Sequence, residues 1–373
     1  MRSPHVITHV CSEWRHVALS TPMLWATIMV DYEDYDSRIT SRSPDNDERL
    51  HTWLGRTGTY YPLDIAFVGP PRYESIIGAP LSWISSYMHR IKALDLSGIF
   101  SGLLTSRFEI LEALALANHE WHVGEDKINQ TMFPSLRRVV LHEEDELTPP
   151  RFIPWPQLTH LSLNADSIVP ATLWIMLSQS LELVELHISL DSVGVANGED
   201  DAVVPAINDP VILPHLDTLS VTMSLYNSLL SRSSFFLKSF KLGGPPGSFE
   251  IEPFLDIIRR MPSLTQIDCN SSVEVTPTLV ASFASLNIAP NLEYLRMSSY
   301  WRIVVEDDEF LHMVSSRDRS GEPAVAELNL PPYTRIFRSH MPKRPWSSEY
   351  LAAVKDAVVD RRVPISETVH IYF

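Results

Sequence analysis

The stretch LTHLSL, Leu158 to Leu163, decides how this chain folds. Its apolar residues fall at the first, fourth and sixth positions. Side chains alternate across a strand, so Leu161 and Leu163 share one face and are expected to point into a core. His160 and Ser162 share the other face, and Asn164 follows on it. Leu158 anchors the turn into the strand. Working outward, the same hexad recurs as IKALDL (Ile91), LEALAL (Leu111), LRRVVL (Leu136), LVELHI (Leu183) and LDTLSV (Leu216). It continues as LKSFKL (Leu237), LTQIDC (Leu264), LEYLRM (Leu292) and, more loosely, VAELNL (Val325).

One hexad carries little information, but a series does. The intervals average about 26 residues, within the period of leucine-rich repeats. Between hexads lie apolar stretches of helical spacing. Examples are PATLWIMLSQS at 170–180 and EPFLDIIRRMPS at 252–263, where Phe254, Ile257, Ile258 and Met261 share one side. Strand and helix alternate, and each repeat buries its apolar face only against its neighbours. The expected fold class is therefore α/β, a leucine-rich-repeat solenoid. It is a curved parallel sheet with helices or irregular segments on the convex side. Asparagine does not recur beyond the last apolar position of the hexads, where Ile99, His119, Glu144, Asp166 and Asp191 stand instead.

Composition narrows the function classes. The 373 residues are 45% hydrophobic and 20% charged, with a formal net charge of −16. Such an acidic surface repels phosphate backbones, so neither nucleic acid nor an anionic membrane is an expected partner. The two cysteines, Cys11 and Cys269, form no disulfide framework and suit a reducing compartment. Glu13, Arg15 and His16 interrupt the apolar core that a signal peptide needs, and no apolar run has the length of a membrane span. The expected location is the cytoplasm, the nucleus or both.

The N-terminus reads differently from the repeats. In VCSEWRHVALSTPMLW, Val10 to Trp25, Val10, Trp14 and Val17 make an apolar stripe on a short helix. Thr21 and Pro22 suit the cap and first position of a second turn carrying Leu24 and Trp25. Two short helices do not bury two tryptophans, so a third element is expected, from this chain or from a partner. Residues 31–49, DYEDYDSRITSRSPDNDER, are too acidic and too poor in apolar groups to repay ordering.

VCSEWRHVALSTPMLW resembles the second half of an F-box or F-box-like motif, with its V-C-x-x-W-R…P-x-L-W pattern. WLGRTGTYYPLDIAFV, Trp53 to Val68, is similar to the W-L-x-R-S-G…P-L segment that follows the F-box in many fungal (basidiomycete-type) F-box proteins with leucine-rich repeats. FPSLRRVVL and IPWPQLTHLSL look like that family's repeat openings, so the resemblance runs from Val10 to about residue 330. The family's first helix, of the L-P-x-E-I-L type, has no counterpart in MRSPHVITH. The resemblance implies a substrate-recognition subunit of a Skp–cullin–F-box-type ubiquitin ligase. Val10, Trp14, Val17, Leu24 and Trp25 would face the S-phase-kinase-associated linker. Loss of the first helix points instead to a repeat scaffold without ligase binding, and both readings stand.

The expected division is a partial F-box-like segment at 1–30, an acidic mobile linker at 31–50, the solenoid at 51–332 and a cap at 333–373. The cap is read as a helix with Tyr350, Leu351, Val354 and Val358 on one face, then a last strand. GVANGEDDAVVPAINDP (194–210) is expected to protrude as a loop, and EDDEF (306–310) falls in another long interval. No catalytic, metal or cofactor pattern emerges. HEWH (119–122) lacks the spacing that puts two imidazoles on one helical face, and HEED (142–145) reads as a solvated turn. The candidate substrate-binding residues are the outward strand positions, on the expected concave face: Arg138, His142, His160, Asn164, Glu185, His187, Asp268, Tyr294 and Arg296. Ser162, Ser189, Thr218, Ser220, Lys241, Gln266 and Asn270 share that ladder, whereas Ala113, Ala115 and Ala117 make a bland rung. His142, His160 and His187 form a candidate pH-sensing set.

Overall fold

In the computed structural model the described residues are 8–31, 51–68, 82–97, 106–117, 129–190, 211–222, 236–243, 251–269, 276–285, 287–297, 326–328 and 369–372. They fall into two compact units. One comprises Met1–Ser180 with Gly194–Asn197, and the other Leu181–Val193 with Gly198–Phe373.

The first unit is built on six parallel strands. They are β1 (Thr27–Asp31), β2 (Leu63–Val68), β3 (Ile91–Ser97), β4 (Ala113–Ala117), β5 (Arg138–Glu146) and β6 (His160–Ser167). Each lies beside the strand before it in sequence. Register repeats from strand to strand. Leu94 pairs with Leu114, Leu114 with Val139, and Val139 with Leu161. The fourth and sixth hexad residues are buried on every rung, as Leu161 and Leu163 predict. The anchors Leu111, Leu136 and Leu158 are fully covered. Burial of one such leucine is worth about 2 kcal/mol, so each rung holds its neighbours mainly through these side chains.

A backbone motif repeats with the hexads. The carbonyl of the second hexad residue accepts two N–H groups from the next rung. Glu112 O takes Arg137 N and Arg138 N, both at 2.9 Å, and Arg137 O takes Thr159 N at 2.9 Å and His160 N at 3.0 Å. The second unit shows the same at Val184, Asp217, Lys238 and Thr265. A second recurrent feature precedes the strands. FPSL (133–136), WPQL (155–158), LPHL (213–216), MPSL (261–264) and APNL (289–292) each close a turn from the fourth residue's N–H to the first residue's carbonyl, at 3.0–3.3 Å. Proline at the second position supplies the φ that such a turn requires. The third residue's side chain usually reaches back to an earlier repeat. Ser135 Oγ donates to Glu109 O (2.8 Å), Gln157 Nε2 to Phe133 O (2.8 Å) and Leu136 O (2.9 Å), Ser263 Oγ to Leu237 O (2.9 Å), and Asn291 Nδ2 to Pro262 O (3.0 Å). Polar stitching between repeats thus lies before the strand, which accounts for a repeat without the regular asparagine after it.

The second unit contains β7 (Glu185–Leu190), β8 (Thr218–Thr222), β9 (Ser239–Gly243), β10 (Gln266–Cys269) and β11 (Tyr294–Met297), all parallel. Leu186, Ile188, Leu219, Val221, Phe240, Leu242, Ile267, Cys269 and Leu295 line its buried face. Helices stand where helical spacing predicts them, at Pro170–Gln179 in the first unit and Ile251–Arg259 in the second. Phe254, Ile257, Ile258 and Met261 are all buried. A further helix, Pro277–Ala284, is capped by Thr276, whose hydroxyl accepts Leu279 N at 3.3 Å. Past β11 the pattern changes. β12 (Ala326–Leu328) does not add as the next parallel rung. The terminal strand β13 (Val369–Tyr372) pairs antiparallel with both β11 and β12 and lies between them. A chain end reaching a sheet edge from either direction satisfies the same backbone groups, and the hexad pattern does not encode that choice.

Three local expectations are corrected. Thr21 does not cap the turn Pro22–Trp25, because its hydroxyl donates to Val17 O at 2.6 Å, closing the end of the preceding helix Ser12–Ser20. HEED is not a turn, since β5 runs through it with a register shift between Glu143 and Glu146. Residues 27–31 are a strand of the sheet, so neither the helical segment 1–30 nor the acidic linker beginning at Asp31 keeps its expected limit. Residues 32–50, 194–210 and 306–310, HEWH, Asn270 and the 350–358 helix lie outside the described residues.

Candidate protein-interaction surfaces

The helix Ser12–Ser20 and the turn Pro22–Trp25 present two kinds of apolar residue. Ala18 and Trp25 are fully buried. Trp25 Nε1 donates to Ala18 O at 2.6 Å, its ring meets Trp53 edge-on at 5.0 Å, and the Arg56 guanidinium lies 4.4 Å above it. Trp53 Nε1 in turn donates to Trp25 O at 2.8 Å. The two stretches VCSEWRHVALSTPMLW and WLGRTGTYYPLDIAFV are therefore packing partners, which is why they belong together. Arg90 is buried and ties down the turn after them, donating to Thr57 Oγ1 (2.8 Å) and Tyr61 O (2.7 Å). Burial lowers its pKa. Gly58, at φ +68°, supplies the left-handed backbone of that turn. Periodicity did not single out Trp53, Arg56 or Arg90, because their roles depend on contacts across tens of residues.

The other apolar residues of this piece face outward. Val10 is 63% exposed, Trp14 56%, Val17 58% and Met23 61%. Leu24 is half-buried. Of the five residues assigned to the linker, Trp25 is thus enclosed by its own chain. Trp14 and Val17 lie uncovered on the helix, whereas Val10, expected on the same helix, stands in the turn before its extended N-cap residue Cys11.

The solvent face of the first unit carries Arg138, His142, His160 and Asn164. Arg138 pairs in register with His160, and His142 with Asn164, so the four occupy two adjacent strands at two levels. Arg138 and Lys92 flank Glu112, at 3.9 and 3.4 Å. These are exposed pairs, worth little to stability. His160 Nδ1 lies 2.8 Å from Thr159 Oγ1. The alanine rung of β4 is half-buried, and Val140 and Met29 are exposed apolar residues of the same face that the charge-based reading passed over. Asp95, opposite Ala115, has its pKa raised by desolvation.

The face of the second unit is more polar. One level reads Glu185, Thr218, Ser239, Gln266 and Tyr294 across β7 to β11, and the next reads His187, Ser220, Lys241, Asp268 and Arg296. By backbone register the members of the two levels share one side of the sheet. The pKa of His187 is lowered, first by desolvation and then by Lys241, against a smaller opposing effect of Glu185. His187 belongs to this unit and His142 and His160 to the other, so the three histidines do not form one cluster within either unit. Among the described residues there is no group of three or more His, Cys, Asp or Glu placed to hold a metal ion, and no helix long and apolar enough to cross a membrane.

The alternation of hexad burial, the one-by-one parallel addition of strands and the repeated backbone motif define a parallel repeat arrangement of the leucine-rich-repeat kind. No family model matches the chain, and no curated protein does. Among solved structures, a leucine-rich-repeat protein of Leptospira interrogans is similar over 70% of this chain and 72% of its own, at 14% identity and a TM-score of 0.32.

Proposed function

We propose that this chain is a non-enzymatic protein-binding adaptor, the substrate-recognition subunit of a Skp–cullin–F-box-type ubiquitin ligase. The observation that carries the reading is the uncovered pair Trp14 and Val17 on a short helix, with Val10 exposed just before it, held through Ala18 and Trp25 next to the first strand of a repeat sheet. An exposed apolar patch of this kind marks an interaction site. In this reading the patch meets the S-phase-kinase-associated linker, and the outward strand residues hold a protein substrate. Ubiquitin transfer chemistry resides on partners, in the cytoplasm or nucleus. The fungal F-box resemblance supports the assignment.

A second reading, an interaction scaffold without ligase binding, is favoured by Trp25. Its ring, indole N–H and carbonyl all engage this chain, as a structural cap requires. A pull-down of the purified linker by the full chain separates the two. The adaptor reading expects capture, abolished by Trp14→Ala with Val17→Ala while the melting temperature is kept. No capture by the unaltered chain removes the ligase assignment and leaves the scaffold.

A further inference from the structure

Five Ser/Thr-Pro pairs stand in the chain, at Ser3, Thr21, Ser43, Thr148 and Thr276. Only the fourth carries a cation three residues after the hydroxyl, in the run Thr148-Pro149-Pro150-Arg151. Three of the pairs fall among the described residues, and the structure separates them. Pro22 and Pro277 each open a helical turn, and the hydroxyls before them are used within the chain. Thr21 Oγ1 donates to Val17 O at 2.6 Å, and Thr276 Oγ1 accepts Leu279 N at 3.3 Å. Both of these residues are half-buried. Thr148 is exposed and lies in neither helix, strand nor turn.

The form of this segment follows from its sequence. A residue before proline is biased to the extended region, so Pro149 extends Thr148 and Pro150 extends Pro149. Both ends are held. Leu147 is buried, and its N–H donates to Ser167 O at 2.9 Å, just past the end of β5. Beyond the prolines, Ile153 N donates to Pro150 O at 3.4 Å, and Arg151 O accepts from Gln130 Nε2 at 3.4 Å. Leu147 and Pro150 are buried, while Thr148 and Arg151 are exposed between and beside them. The hydroxyl and the cation are thus presented together on one short segment with fixed ends.

We propose that Thr148 is a phosphorylation site for a proline-directed protein kinase that selects a cation three residues after its acceptor. Such a kinase takes an extended acceptor segment into its cleft. Pro149 brings no N–H that must find a partner there, and Arg151 meets an acidic group of the kinase. Thr148 Oγ1 attacks the γ-phosphorus of ATP, the bond from that phosphorus to the bridging oxygen breaks, ADP leaves and the hydroxyl proton passes to the kinase's base. The product places about two negative charges close to Glu146 at the end of β5. The inference goes beyond the adaptor and scaffold readings and depends on neither.

The test incubates the folded full chain with a purified cyclin-dependent kinase, its cyclin and Mg·ATP, and follows each site by mass spectrometry. Thr148 is expected to be phosphorylated at least about tenfold faster than Thr21 or Thr276. Arg151→Gln should slow Thr148 by about tenfold, as loss of a charge-assisted contact implies, and Arg151→Lys should keep most of the rate. Pro149→Ala should reduce it to background. A peptide of residues 142–155 separates sequence from fold. No phosphate on the peptide overturns the motif, and phosphate on the peptide but not on the folded chain overturns the exposed site. An unchanged rate in Arg151→Gln also removes the assignment. Failure to capture the ligase linker bears on none of these results.

Discussion

At the residue scale, identical types have opposite fates here. Trp14 and Trp25 sit eleven positions apart on the same N-terminal piece, yet one is 56% exposed and the other fully buried. Trp25→Ala should therefore cost about 3–5 kcal/mol in denaturant unfolding, and Trp14→Ala should stay within about 0.5 kcal/mol. The cysteines divide likewise. Burial, with Asp268 adding to it, pushes the Cys269 thiol well above its ordinary pKa, while Cys11 is exposed. The thiolate is the reactive form, so iodoacetamide should label Cys11 in the folded chain and Cys269 only after unfolding. Equal labelling of both, followed by mass spectrometry, would contradict the buried position. His187 is held below its ordinary pKa, so the folded chain binds fewer protons there than the unfolded chain. Its contribution is thus without penalty above about pH 6.5 and becomes destabilising as pH falls below that. An NMR titration should find the His187 pKa under the ordinary value, and Lys241→Ala should raise it.

At the element scale, hexads made strands wherever the structure describes them, and the apolar spacing at 251–259 made a helix. What spacing missed was the turn before β5, β6, β8, β10 and β11. The apolar-Pro-x-Leu turn recurs visibly in the sequence, but the reach of its third side chain to an earlier repeat is set by the distance between rungs. Gln157 bridges two carbonyls in this way. Gln157→Ala should lower stability by about 1–2 kcal/mol, read from the urea midpoint, with no change in the strand face. Two Thr-Pro pairs show how context decides a cap. Thr276 caps the helix after it, whereas Thr21, with the end of a helix directly before it, donates backward to Val17. The same dipeptide thus closes one element or opens another according to which carbonyl or N–H is within reach.

At the scale of the molecule, the repeats make each unit a chain of nearest-neighbour contacts. Ile267→Ala should therefore lower amide-exchange protection most strongly in β9 to β11, with β1 to β3 unchanged, in hydrogen-exchange mass spectrometry. Uniform loss across all strands would speak against local coupling. The two units also differ in the chemistry of their open faces. The first combines small and apolar rungs with Arg138 and two histidines, and the second alternates hydroxyl, amide and charged groups.

The period, the alternation of buried and outward strand residues and the helical stretches between them are legible in the amino-acid order alone. Those are local properties, because alternation and helical spacing follow from the geometry of a single element. The tertiary structure decided which tryptophan is covered, that residues 27–31 begin the sheet, that HEED extends a strand and that β13 lies between β11 and β12. Each of these depends on contacts between segments far apart in the chain. A side chain's identity does not record which distant carbonyl, ring or sheet edge will be there to meet it.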